Sequence, residues 1–417
     1  MTMLAPKRTG ENATAPLFKY ICYTALFDGG ERFPVLLYGE TYQPVVLCTR
    51  YVIDERRELK QAGTIGQDVR VLRWFYCWAD IRGIDLEERL RSGKLLTKAE
   101  ISGFCKYLRA ARTESIIGSI GANNREGSGR IPVISPATFN AYIGTVKDFL
   151  LWAAREFIPN NSAREQLQRT IESAIDRINR SFRSRRMSGK KTVDRRGLTR
   201  DEVDEIRRII EPGLEANPFK RSLQLRNYLI FVLMLETGLR RGELLKLKVR
   251  HLPRGAKTTL SVERKPDDID DPRLNEPRVK TLMREIEISK QLSIALWRYV
   301  RECLRKGSNS DDFLFRSVRD GLPLNSSGVN WLFSQIVKCL PHLKGRLSPH
   351  VMRHTYNVRL VETAQSMGWE EKRIEEFQRY VNGWSENSVM PSHYTKSLIQ
   401  QQANEVARKY QESLYVF

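Results

Sequence analysis

No apolar run in the chain is long enough to cross a bilayer. The longest, Tyr228 to Leu235, falls far short of the about 20 residues a transmembrane helix requires, so no membrane partner is expected. The N-terminus has no basic stretch followed by an apolar segment, and no secretory signal is read there. The six cysteines (Cys22, Cys48, Cys77, Cys105, Cys303, Cys339) are scattered without a C-x-x-C pair. That spacing excludes the usual structural zinc and disulfide frameworks. They read as reduced, mostly buried thiols of a cytoplasmic protein. Acid is also scarce, with 49 Asp+Glu against 70 Lys+Arg and a net charge of +21. A surplus of that size marks a polyanion partner, the alternative being a merely supercharged, soluble surface.

At 417 residues the chain exceeds one compact core, and two or three domains are expected. Residues 1–62 read as an N-terminal extension of unassigned role, with Tyr20 to Phe27 and Pro34 to Tyr38 as a strand pair around Asp28-Gly29-Gly30. Residues 63–182 read as a helical module. Val69, Val71, Leu72, Trp74, Phe75 and Trp78 recur at helical spacing, a second helix runs from Thr97 to Ala111, and a third covers Pro136 to Phe157. Gly118 to Gly129 reads as a loop. Residues 183–197 form a basic linker, in which Arg183, Arg185, Arg186, Lys190, Lys191, Arg195 and Arg196 surround small polar residues. Such a run is either a solvated tether or a strap across a DNA backbone, and charge of nearly one sign favours the strap. Residues 198–417 read as a mostly α domain with a small sheet. Thr199 and Glu202 make a capping box that opens its first helix, which should end at Pro212-Gly213. A long apolar helix, Leu223 to Glu236, follows, then strands at Thr258 to Val262 and Arg284 to Ile288.

Three groups in this last domain have catalytic character. Gly238 stands where a helix would be released in a left-handed conformation, with Arg240 just past the turn, Arg241 beside it and Glu243 able to orient a guanidinium. His350 and Arg353, three apart, share one face of a helix capped by Ser348 and started by Pro349. Tyr394 lies about forty residues further on. Taken singly, each has a bland reading: a surface Arg at a helix end, a structural His/Arg pair, a core tyrosine. Together they supply a nucleophile, two guanidiniums and an imidazole, which suffice to attack a phosphodiester without a metal.

Their order and spacing resemble the tyrosine recombinase (phage integrase) family. The family's T-G-L-R turn with an acid three residues later is matched by Arg240 and Glu243. Its H-x-x-R is matched by His350 and Arg353, its glycine followed by His or Trp by Gly383-Trp384, and its tyrosine by Tyr394. The resemblance covers about residues 60 to 400. It implies a helical core-binding domain over 63–182 and a mixed α/β catalytic domain after the linker, closing on DNA as a C-shaped clamp. It also implies a site-specific recombinase or integrase that cuts and rejoins double-stranded DNA through a covalent 3′-phosphotyrosine, as a homotetramer passing through a Holliday junction. Neither a cofactor nor a metal is implied. Accessory DNA-bending or directionality proteins are possible partners, and the expected setting is a bacterial or phage-encoded, DNA-associated, cytoplasmic protein. Arg240 and Arg353 would hold the phosphate, Trp384 would position one of its oxygens, and His350 would act as base or relay.

The family also uses a lysine on its catalytic hairpin. Lys280 precedes the second strand at the right distance, and Lys265, after the first strand, competes with it. The hairpin is long and acidic, with Asp267, Asp268, Asp270 and Asp271; it reads as a solvated acidic loop rather than a Mg²⁺ site, since no partner His is near. Trp384 stands where histidine is commoner, and the step from Trp384 to Tyr394 is one residue longer than usual. Ser397 to Phe417 reads as an amphipathic helix, packed on its own domain or docked on a neighbouring protomer. The nearest rival enzyme is a type IB topoisomerase, and a telomere-resolving enzyme is more remote. A catalytically silent DNA-binding protein is the rival from another class, and it would be expected to lack at least one of Arg240, His350, Arg353 and Tyr394.

Overall fold

The computed structural model describes residues 19–92, 95–119, 134–156, 165–189, 197–255, 257–304, 311–392 and 394. The chain divides into two compact units, Met1–Lys191 and Thr192–Phe417.

The first unit opens with an antiparallel strand pair, β1 (Tyr20–Leu26) and β2 (Arg32–Tyr38), registered Tyr20 to Tyr38 and Leu26 to Arg32. Among the described residues six helices follow: α1 (Val46–Glu55), α2 (Ala62–Ile81), α3 (Leu86–Arg91), α4 (Lys98–Ser119), α5 (Pro136–Glu156) and α6 (Glu165–Arg183). Helix α2 buries the stripe Val69, Leu72, Phe75 and Trp78, spaced as one face of a helix must be. Phe75 meets Phe104 of α4 edge-on at 5.3 Å between centroids, and Tyr51 of α1 meets Phe149 of α5 in the same way. Val35 and Leu36 of β2 and Cys48 and Tyr51 of α1 belong to this same core. Residues 20–55 are therefore one body with the helices that follow. The expected loop at 118–129 begins no earlier than the end of α4 at Ser119, and the remainder of it lies outside the described residues.

The second unit contains α7 (Arg200–Ile210), α8 (Arg221–Thr237), α9 (Arg241–Lys246), β3 (Thr259–Val262), β4 (Arg284–Glu287), α10 (Lys290–Cys303), α11 (Ser326–Cys339), α12 (Pro349–Ser366) and α13 (Glu371–Asn382). The Thr199/Glu202 capping box forms as read, and α7 stops at Ile210, just before Pro212. Helix α8 is apolar nearly all round and is buried accordingly, with Leu229 to Met234 enclosed, packed against α12 and α10. Strands β3 and β4 pair antiparallel from Thr259 opposite Glu287 to Val262 opposite Arg284. The main core joins Ile206, Ile230, Leu233, Leu260, Leu296, Leu332 and Met352. A smaller cluster, Val361, Ala364, Ile374, Trp384 and Tyr394, lies beside it. The Ser397 to Phe417 segment lies outside the described residues.

Candidate active site

Helix α8 ends at Gly238, whose φ of 60° lies in the left-handed region. A Cβ at that position would stand 2.2 Å from the Tyr356 ring, so both the conformation and the space demand glycine. The turn sets Arg240 as N-cap of α9, in extended geometry, with its side chain about one-third exposed. Its backbone N–H donates to Glu243 Oε2 at 2.9 Å.

Glu243 is almost wholly buried and gathers the surrounding charges. Arg284 Nη2 donates to it at 3.0 Å, Thr281 Oγ1 hydrogen-bonds its other oxygen, and Arg353 Nη1 stands 4.0 Å away. Burial works against the ionised carboxylate, but Arg284 and Arg353, with the hydrogen bonds from Arg284 and Thr281, outweigh it and hold Glu243 below its ordinary pKa.

Arg353, on α12, is buried and fixed from two sides. Nη1 donates to the Gly238 carbonyl at 2.7 Å, and Nη2 to the Asn382 carbonyl at 3.2 Å. Asn357, one turn on, exchanges side-chain hydrogen bonds with Asn382, joining α12 to the end of α13. There Gly383 takes φ 60° and its carbonyl accepts from Leu282 N at 3.0 Å, which turns the chain so that Trp384 faces inward. The Trp384 ring lies 5.4 Å from the Arg353 guanidinium and stacks on Tyr394 at 5.8 Å and 13°. On another side of Tyr394 stands His354, with ring centroids 5.1 Å apart. Tyr394 is 4 % exposed. Trp384 Nε1 is buried without a hydrogen-bond partner among the described residues. Burial lifts the Tyr394 phenol above its ordinary pKa, while Arg353 and Arg240 pull the other way. Burial and then the Arg240 charge disfavour the Arg353 cation, and Glu243 favours it.

Of the residues expected from sequence, Arg240, Glu243, Arg353, Trp384 and Tyr394 are linked by these contacts. His350 is exposed in the first turn of α12, and the imidazole against the tyrosine ring is that of His354. Lys280 is exposed between the buried Val279 and Thr281, and Thr281 is the residue that bonds Glu243. Its competitor Lys265 is tied to Asp268 at 2.7 Å and Asp270 at 3.3 Å. Arg241 donates to Asn330 Oδ1 at 2.7 Å. In the first unit Arg183 and Arg186 line, with Lys147 and Arg180, a cavity of about 560 Å³ between α5 and α6, and Arg185 is half-buried nearby. Lys190, Lys191, Arg195 and Arg196 lie outside the described residues.

Two expectations need correction. Of the six cysteines only Cys48 and Cys105 are buried, Cys22 and Cys77 are half-buried, and Cys303 and Cys339 are exposed. The acidic hairpin is only partly a solvated loop: Asp267 and Asp270 are exposed, but Asp268 and Asp271 are 1 % exposed and ion-paired to Lys246, Lys248 and Arg273. The partner lysines sit in α9 and just after it, some twenty residues upstream, where no local pattern marks them as counter-ions. Sequence reasoning also passed over Arg284 and His354. An alternating strand gives no hint of a buried guanidinium, whereas the i, i+4 relation of His354 to His350 could have brought it in.

Residues 196–401 match the phage integrase family. Among solved structures, the Tn1549 transposon integrase in complex with transposon right end DNA is similar at 18% identity, over 81% of this chain and 99% of that one, with a TM-score of 0.38. XerH site-specific recombinase bound to a palindromic difH substrate is 14% identical, over 88% of this chain and 94% of that one, at 0.42. A lambda integrase tetramer bound to a Holliday junction is 16% identical, over 82% and 78%, at 0.45. No curated protein sequence matches the chain. With TM-scores this low, membership rests on the family match, which spans the arginine, histidine and tyrosine boxes. Residues 196–401 are a domain of the phage integrase family, and that domain is the one of a site-specific DNA recombinase of the tyrosine type.

Proposed function

We propose that the chain cleaves and rejoins duplex DNA with Tyr394 as nucleophile and Arg240, Lys280, His350, Arg353 and Trp384 as its catalytic partners. The observation that carries this reading is the setting of Tyr394, enclosed by Trp384 and His354 within the field of two arginines. The phenol oxygen attacks the phosphorus in line and forms a P–O bond as the bond to the 5′-oxygen breaks. Because burial holds the phenol protonated, a base is required, and His350 accepts or relays its proton. Lys280 gives a proton to the departing 5′-oxygen, leaving a free 5′-hydroxyl and a 3′-phosphotyrosine.

Charge that builds on the non-bridging oxygens is met by Arg240, whose guanidinium is partly open, and Arg353, whose orientation is fixed by two backbone carbonyls. The Trp384 N–H, without a partner among the described residues, suits a phosphate oxygen. Rejoining is the reverse step, with a 5′-hydroxyl of a second duplex attacking the phosphotyrosine. We further propose a homotetramer on two duplexes, the basic residues Arg183, Arg185, Arg186, Lys190, Lys191, Arg195, Arg196 and Arg241 on DNA backbone, and an open place for accessory proteins.

The test is covalent trapping. Nicked duplexes spanning the ends of the element that encodes the protein, incubated without added metal, should give a denaturant-resistant protein–DNA band. Tyr394→Phe should abolish the band and leave duplex binding nearly unchanged. An adduct that survives the substitution would remove Tyr394 as nucleophile. Tight, salt-sensitive binding with no adduct on any end sequence would point to a silent DNA-binding protein.

A further inference from the structure

Strands β3 and β4 could be joined by a two-residue turn, yet residues 263–283 lie between their paired ends at Val262 and Arg284. This long segment is held at its middle by a buried set of charges. Lys246 Nζ meets Asp268 at 3.5 Å, Asp271 at 3.4 Å and, closest of all, Glu276. Lys248 Nζ meets the same Asp268 at 3.3 Å. Arg273 grips Asp271 at 2.7 Å and donates to the carbonyls of Leu245 at 3.1 Å and Leu324 at 2.6 Å. Lys248 and Arg273 both lie against the ring of Phe313. Glu276 also accepts from the backbone N–H groups of Asp267 and Asp268. Lys265, paired with Asp268 and Asp270, extends the set to the surface, so that four cations face four carboxylates and the charges balance. The cost of burying these charges is offset only by specific geometry, since an apolar cluster of similar volume would hold the segment at least as firmly. What an ion set adds over an apolar one is a single register.

That register is transmitted directly to the strip bearing Lys280. Glu276 lies four residues before Lys280. Between them the Arg278 carbonyl passes so close to Gly242 that a Cβ there would stand 2.0 Å away. Val279 and Thr281 are buried on either side of Lys280, and Leu282 N is bonded to the Gly383 carbonyl next to Trp384. Lys280 is therefore the outward residue of a strip fixed at both ends.

We infer that the buried set of Lys246, Lys248, Arg273, Asp268, Asp271 and Glu276 positions Lys280 for protonation of the leaving 5′-oxygen. Lys246 and Glu276 are its principal positioning residues. The inference rests on the reading of Lys280 as the acid. Both can be tested with one pair of substrates: a cleavable duplex, mapped by the trapping assay, and the same duplex with sulfur in place of the bridging 5′-oxygen. The sulfur substrate releases a thiolate, whose far lower basicity removes the need for an acid.

The neutral double variant Lys246→Met/Glu276→Gln should form adduct about 10²-fold more slowly than the unsubstituted protein on the oxygen substrate, and at close to its rate on the sulfur substrate. Lys280→Ala should show the same split. Arg273→Lys, which keeps the charge but loses the fork to two carbonyls, should show a smaller split and serves if the double variant does not fold. Equal losses on both substrates, or no loss on either, would overturn the positioning role while Lys280→Ala remains rescued. If sulfur does not rescue Lys280→Ala, the reading of Lys280 as acid fails, and the inference with it.

Discussion

Glu243 makes no expected contact with DNA, yet the site is arranged around its carboxylate. It receives Arg284, Thr281 and the Arg240 backbone and stands within 4.0 Å of Arg353. Removing its charge leaves Arg284 and Arg353 buried without their counter-ion, a loss of roughly 3–5 kcal/mol. Glu243→Gln should show that loss in urea unfolding at pH 7, and a loss under 1 kcal/mol would contradict the network.

The sign of the pH dependence follows from the same contacts. Glu243, Asp268 and Asp271 are all held below their ordinary values in the folded state. Their contribution is therefore complete above about pH 4.5, the ordinary Glu value. It is lost as pH falls through the lower folded values. Glu243→Gln should flatten part of that acid-side slope. Arg240, Arg353, Trp384 and Tyr394 were legible because each sits in a box with fixed neighbours. Arg284 and Thr281 were not, because what singles them out is contact with Glu243 about forty residues earlier.

Among the elements, α9 and the β3–β4 segment flank the proposed Arg240 and Lys280. They touch where Gly242 faces the Arg278 carbonyl. Gly242→Ala should destabilise by roughly 3 kcal/mol or more, since backbone on one side and helix on the other leave little room to relax. Gly144→Ala, in the open face of α5 with nothing within 4 Å of the new methyl, should be neutral or stabilising. Equal midpoints in chemical denaturation would contradict the close approach. Apolar spacing made α2, α5 and α8 readable, and the Thr199 capping box made the start of α7 readable. The β3–β4 segment was not readable in the same way. Its acids carry no hydrophobic period, and their lysines lie elsewhere in the chain, so burial could not be inferred from sequence neighbours.

For the molecule as a whole, the governing quantity is the charge of +21. Lys147, Arg180, Arg183 and Arg186 concentrate part of it around one cavity of the first unit. If Arg180, Arg183 and Arg186 each neutralise a phosphate, replacing all three by Ala should reduce the slope of log affinity against log salt by about 2 to 3. The loss should be similar on any duplex sequence, because phosphate contacts carry no base information. Fluorescence anisotropy titrations at stepped salt would read this directly, and an unchanged slope would remove this face from the DNA-binding surface. Net charge indicated the class of partner from composition alone. The grouping of Lys147 with the arginines was visible only in the fold, since α5 and α6 bring together residues some thirty apart in sequence.

The central claim, that Tyr394 becomes the 3′-phosphotyrosine, is tested most directly by identifying the linked residue in a trapped adduct. Proteolysis of the adduct followed by mass spectrometry should find the nucleotide mass on the peptide that contains Tyr394. The released strand should carry a 5′-hydroxyl that a polynucleotide kinase labels without prior phosphatase treatment. Nucleotide on any other peptide, or a released strand with a 5′-phosphate, would contradict the account.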